Sequence, residues 1–184
     1  MSAPLNAAVA AGPVCALPPQ PHAHGPRTWQ GPDLGRRLAI LDRTRSVAIV
    51  GASPNPSRAS YFVVTYLLSS SDFRVHLVNP RATEILGHPV HPSLEALPEP
   101  PDLVAVFRRH EDLPTVADEA IAAGARTLWL QLGSWNEDAA RRAEEAGLDV
   151  VMDRCIKVEH ARFHGGLRLG GFDTGVISSR RGRR

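Results

Sequence analysis

The chain has 184 residues, 43% of them hydrophobic and 22% charged, with a formal net charge of +2. That length suits one domain with a sizeable core, and no apolar run is long enough for a membrane span. Arg180, Arg181, Arg183 and Arg184 stand at the C-terminus; without these four the net charge falls from +2 to −2, so nucleic-acid binding by the body is not expected.

Residues 1–31 are rich in Pro, Ala, Gly and His without periodicity and are read as a disordered or draped extension. Nothing there resembles a signal peptide, and the His22/His24 pair has no further ligand beside it in the sequence. Cys15 and Cys155 have no CxxC or Cys/His spacing, which fits a reducing cytoplasm. A short helix is expected from Asp33 to Arg43, with Leu34, Leu38 and Leu41 on one face. The stretch from Ser46 to Val50 reads as a strand buried on both faces, as in a parallel sheet.

That strand runs into Gly51-Ala52-Ser53-Pro54-Asn55-Pro56-Ser57-Arg58, a small-residue turn that reads as a phosphate cradle. Gly51 lets the backbone turn sharply and approach a ligand. Ser57 is expected to cap a helix from Arg58 to Leu68, whose first N–H groups favour an anion. The turn lacks the G-x-G-x-x-G of dinucleotide sites. The second strand, Phe73 to Val78, ends in Asn79-Pro80-Arg81, an amide and a guanidinium where NAD needs a carboxylate. Arg81 suits a ligand with an extra phosphate near the ribose, and coenzyme A and NADP both qualify on charge.

A proline-rich connector with one helical turn at Leu94–Leu97 leads to a third strand, Asp102 to Phe107. A helix from Leu113 to Ala123 follows, then a fourth strand from Thr127 to Leu132. Asn136 is expected to cap the next helix, which runs to Ala146, and a fifth strand spans Leu148 to Met152. Short links between alternating strands and helices imply right-handed crossovers. The expected fold is therefore α/β, a Rossmann-like doubly wound and mainly parallel five-stranded sheet with helices on both faces. Its ligand belongs at the carboxyl ends of the strands, at residues 51–58, 79–81, 107–109, 133–136 and 153–157. Phe107 and Arg108 can flank a base there, although Phe107 also reads as a core residue.

Several strand-end motifs, taken together, are similar to those of the small bacterial stand-alone CoA-binding-domain proteins. They are Val50 to Pro56 with Ser60-Tyr61, Val78-Asn79-Pro80, Val106-Phe107-Arg108, Trp129 to Gly133 with Asn136, and Met152 to Cys155 with Lys157. The similarity runs from about Arg45 to Phe163, and the family itself resembles the CoA-binding domain of succinyl-CoA synthetase α subunits. Two departures stand out. Ile156 replaces a common Pro, and Trp135 brings a bulky ring that could narrow the cleft.

The resemblance implies residues 32–165 as the binding domain, with 166–184 as a C-terminal extension ending in the basic tail. It implies a binder of coenzyme A or an acyl-CoA without chemistry of its own. The implied contacts are Gly51, Ala52, Ser53, Asn55, Arg58, Ser60, Asn79, Pro80, Arg81, Phe107, Arg108, Gly133, Asn136, Cys155 and Lys157. Cys155 reads either as a packing residue or as a thiol able to form a mixed disulfide with the coenzyme. No nucleophile and base, and no metal-binding spacing, is evident. Two alternatives stay open: an NADP-linked oxidoreductase or acyl-CoA ligase subunit, and a metabolite or redox sensor acting through a partner. The expected partner is a small molecule, with no membrane or nucleic acid, and a homodimer is possible.

Overall fold

The computed structural model describes residues 27–164. Cys15, His22, His24 and the basic tail lie outside the described residues. Helix α1 (Leu34–Arg43) starts where Asp33 accepts a hydrogen bond from the Arg36 amide, a side-chain cap for an otherwise unpaired donor. Strand β1 (Ser46–Val50) is buried along its whole length. Helix α2 (Ala59–Ser70) then leads to β2 (Arg74–Val78), β3 (Glu84–Ile85) and β4 (His88–His91). Strand β5 (Leu103–Val106), one 3-10 turn at His110–Asp112, α3 (Leu113–Ala122) and β6 (Thr127–Leu130) follow. The described part closes with α4 (Glu137–Glu145), β7 (Asp149–Val151) and α5 (Ile156–His164).

The strand order is β3-β4-β2-β1-β5-β6-β7, parallel throughout except for the antiparallel β3–β4 pair. The chain moves outward from β1 in one direction and then returns to its other side, so the order reverses between β1 and β5. This is the Rossmann-like α/β architecture that the sequence implies, with seven strands rather than five. The two extra strands come from the connector after β2. Pro89 fits there because it lies outside the register with β2, which pairs only Val90 and His91, so its missing N–H costs no bond in that ladder.

Alternation along the strands builds two cores. Ala48, Val50, Val104, Val106, Leu128 and Leu130 face α3 and α4. Val47, Ile49, Leu103, Ala105 and the fully buried Trp129 face α1, α2 and α5. The indole of Trp129 donates to the Arg154 carbonyl at 2.7 Å, which satisfies its one polar group. Three details differ from expectation. Helix α2 begins at Ala59, and Ser57 does not cap it; the Ser57 amide instead donates to Asn55 Oδ1 at 2.9 Å, so the turn is still closing at that residue. Residues 94–97 form a turn and no helix. Helix α5 lies where the sequence showed only a strand end. Residues 27–31, which composition assigns to the N-terminal extension, lie against the start of α4, with the Thr28 and Trp29 amides donating to Glu137.

Candidate functional site

The reversal point between β1 and β5 is held open by one glycine. The Gly51 amide donates to the Val78 carbonyl at 2.9 Å, and the Phe107 amide donates to the Val50 carbonyl at 2.8 Å. These bonds carry the sheet one residue beyond its strands. Gly51 then turns at φ +85°, where a Cβ would lie 2.3 Å from the Phe107 carbonyl oxygen. Both the left-handed backbone and the close approach exclude a side chain at this position.

The loop after Gly51 is built by short side-chain turns. Ala52 is fully buried, and its carbonyl accepts from Asn79 Nδ2 at 2.6 Å. Asn79 Oδ1 in turn accepts from the Arg81 amide at 2.9 Å. Asn79 thus ties the loop after β1 to the loop after β2 and fixes the backbone at Arg81. Ser53 Oγ accepts from the Asn55 amide at 3.2 Å. The chain enters α2 through Arg58 with no side-chain cap; the Tyr61 amide donates to the Arg58 carbonyl at 3.0 Å, which leaves the Ala59 and Ser60 N–H groups without a capping side chain, a place that favours an anion.

A cleft of about 830 Å³ opens along these strand ends. Of the residues singled out in the sequence, it brings together Gly51, Ser53, Arg58, Ser60, Asn79, Pro80, Arg81, Phe107, Arg108 and Cys155. Ala52, Asn55, Gly133, Asn136 and Lys157 do not line it. Asn136 caps α4 by accepting from the Ala139 amide at 2.9 Å. The Gly133 amide donates to Asp153 at 2.7 Å, and Lys157 Nζ lies 5.8 Å over the Tyr66 ring. Trp135 leaves the cleft unobstructed. Its ring packs edge-on against Trp29 at 5.6 Å and lies under the Arg27 guanidinium at 4.4 Å, beside a separate hollow of about 210 Å³. Beside that hollow, the Thr28 hydroxyl, and then the Thr28 and Trp29 amides, hold the Glu137 carboxyl down at about 2.

The charge in the cleft is uneven. Arg58, Arg81, Arg108 and Arg109 line the part fed by β1, β2 and β5, with Asp112 as the acidic lining residue. Asp112 engages Arg108 at 3.2 Å, while Arg109 meets Glu111 at 3.7 Å in an exposed pair that offsets little of its charge. Among the described residues, Arg58 and Arg81 form no ion pair. The part fed by β6 and β7 is uncharged and includes Gln131, Leu132, Ser134 and Cys155. Cys155 is a half-buried free thiol, and its carbonyl accepts from the Glu159 amide in the first turn of α5.

Ser134 lies within the strand end 133–136 that the sequence indicated, whereas Ala59, Val63, Val106, Asp112, Gln131 and Leu132 were not singled out as contacts. For Gln131 a signal existed, an amide closing the otherwise apolar run Leu128-Trp129-Leu130. Residues 45–161 match the family described as the CoA binding domain. The chain is 39% identical over 132 residues to the uncharacterized protein YneT of Bacillus subtilis, covering 72% of this chain and 97% of that one. A hypothetical protein from Pyrococcus horikoshii, of known structure, superposes with a TM-score of 0.68 at 36% identity, covering 72% of this chain and 93% of that one. Similarity also extends to an ADP-forming acetate–CoA ligase of Archaeoglobus fulgidus, 28% identical over 120 residues, which are 60% of this chain and only 17% of the ligase. With a glycine-held cradle at the sheet reversal and a family match across most of its length, the chain belongs to the CoA binding domain family.

Proposed function

We propose that the protein binds coenzyme A or an acyl-CoA in the strand-end cleft and performs no chemistry on it. The observation that carries this reading is the union of the uncapped α2 start, Gly51 and the unpaired Arg58 and Arg81 on one rim. In this reading the pyrophosphate lies at the first turn of α2, where N–H groups and the helix dipole attract it. Arg81, its backbone fixed by Asn79, receives the ribose 3′-phosphate through a guanidinium fork. Phe107 and Arg108 flank the adenine. Each charge-assisted contact contributes about 1.5–3 kcal/mol, so two or three of them dominate affinity.

The test is thermal stability of the full chain with CoA, acetyl-CoA, dephospho-CoA, NAD and NADP. A ligand at about a hundred times its Kd adds about 2.7 kcal/mol, about 5–11 °C for a domain of this size. CoA is expected to raise Tm, dephospho-CoA to raise it less, and NAD to leave it unchanged. Arg81→Ala is expected to weaken CoA about tenfold or more and dephospho-CoA hardly at all; equal losses would remove the 3′-phosphate from Arg81. A shift with NADP alone would favour redox chemistry instead. The ligase similarity supports a second reading, a CoA-binding subunit of an acyl-CoA ligase, and acetyl-CoA-dependent ATP formation from ADP and phosphate would favour it.

A further inference from the structure

We infer that Gln131 is the docking point for a carbonyl oxygen on the uncharged arm of the ligand. The inference rests on the coenzyme reading above and concerns the opposite end of the same cleft. Gln131 stands just past β6 and is only 6% exposed. Its Oε1 accepts from the Ile156 amide at 3.1 Å, which fixes which end of the side-chain amide is oxygen. Nε2 is then committed to the other side, where it is buried and, among the described residues, meets no acceptor. Native proteins pair nearly all such groups, and an orphaned donor points to a missing partner.

The identity of that partner follows from the distribution of charge. Gln131 lines the cleft beside Leu132, Ser134 and Cys155, next in strand order after the arginine-bearing ends of β2, β1 and β5. A ligand with a polyanionic head and a long neutral arm is divided by this cleft. Its phosphates stay with the arginines, and its arm runs past β5 to the ends of β6 and β7. An NH₂ group buried beside this uncharged part of the cleft is satisfied at least cost by a neutral acceptor, since a charged one would have to be desolvated there. Coenzyme A carries two kinds of carbonyl on that arm, the amides of the arm itself and, when acylated, the thioester.

The experiment measures calorimetric affinities of the full chain for adenosine 3′,5′-bisphosphate, CoA and acetyl-CoA. Gln131→Glu keeps an acceptor for the Ile156 amide but replaces the donor with an oxygen. It is expected to weaken acetyl-CoA about tenfold and to leave adenosine 3′,5′-bisphosphate within about twofold. Loss for acetyl-CoA alone identifies the thioester carbonyl, and equal loss for CoA identifies an arm amide. Gln131→Met, which has no donor and only a weak thioether acceptor, should give the same ranking of ligands and serves if the glutamate variant does not fold. Unchanged affinities for all three ligands in the variants would overturn the inference alone and leave Nε2 to a buried water. Failure of the wild-type chain to bind any of the three would overturn the coenzyme reading, and this inference with it.

Discussion

Gly51 shows how one residue can set a binding surface. Its φ of +85° and the 2.3 Å approach of the Phe107 carbonyl to its missing Cβ act on the same atom from two directions. Gly51→Ala therefore meets both the left-handed penalty and a backbone clash, which no side-chain rotation relieves. We expect it to destabilise the fold by at least about 2 kcal/mol and to weaken CoA by spreading the ends of β1 and β5, measured by denaturant unfolding and calorimetry. Unchanged stability would mean that the two strand ends shift freely. This residue was legible in the sequence because glycine at the end of a buried strand has a local, chemical meaning. Gln131 was legible only as an amide closing an apolar run, because a lone amide acquires its significance when three-dimensional packing hides one end of it from water. Asn79 was legible as a strand-end polar residue, yet its hydrogen bonds tie two loops together, a role that spacing alone does not reveal.

At the level of elements, α5 follows directly on Cys155 at the β6–β7 end of the cleft and is anchored by ions as well as by Ile156 and Phe163. Glu159, 3% exposed, accepts from Arg37 of α1 at 2.8 Å and meets Arg162 at 3.3 Å. Arg37 also donates to the Pro32 carbonyl at 2.7 Å. Removing the shared carboxylate leaves two buried guanidiniums uncompensated, so Glu159→Ala is expected to destabilise by about 3–5 kcal/mol. Glu159→Gln, which keeps an acceptor, should cost less. A Tm within a degree or so of wild type in Glu159→Ala would show that the arginines reach water and that the cluster does not hold α5. The same cluster explains why α5 was not read from the sequence. Its buried positions are Ile156, Glu159, His160, Arg162 and Phe163, and three of these carry polar or charged groups, which breaks the apolar 3.6-residue period. Strands β3 and β4 escaped for a related reason, since two and four residues containing Pro89 and two histidines show no alternation. By contrast, β1, β5 and β6 were plain because strands buried on both faces are unbroken apolar runs.

The topology of the whole molecule converts these local features into a polarity. Crossovers to both sides of β1 place the loops carrying Arg58, Arg81, Arg108 and Arg109 at adjacent strand ends and leave Gln131, Ser134 and Cys155 beyond them. One end of the cleft therefore attracts anions, and on the inference drawn above the other receives a neutral group. The two ends must respond differently to salt. Exposed charges are screened over about 10 Å at 0.1 M and about 3 Å at 1 M ionic strength, whereas a buried amide donor is hardly affected. Raising sodium chloride across this range is expected to weaken CoA strongly and dephospho-CoA less, in step with their phosphate contacts. The effect of Gln131→Glu on acetyl-CoA, taken as the ratio of wild-type to variant affinity, should stay constant throughout. If that ratio collapses with salt, the carboxylate acts by long-range repulsion of the phosphates. If CoA affinity ignores salt, the arginine rim does not hold the phosphates, and the polarity of the cleft has some other use.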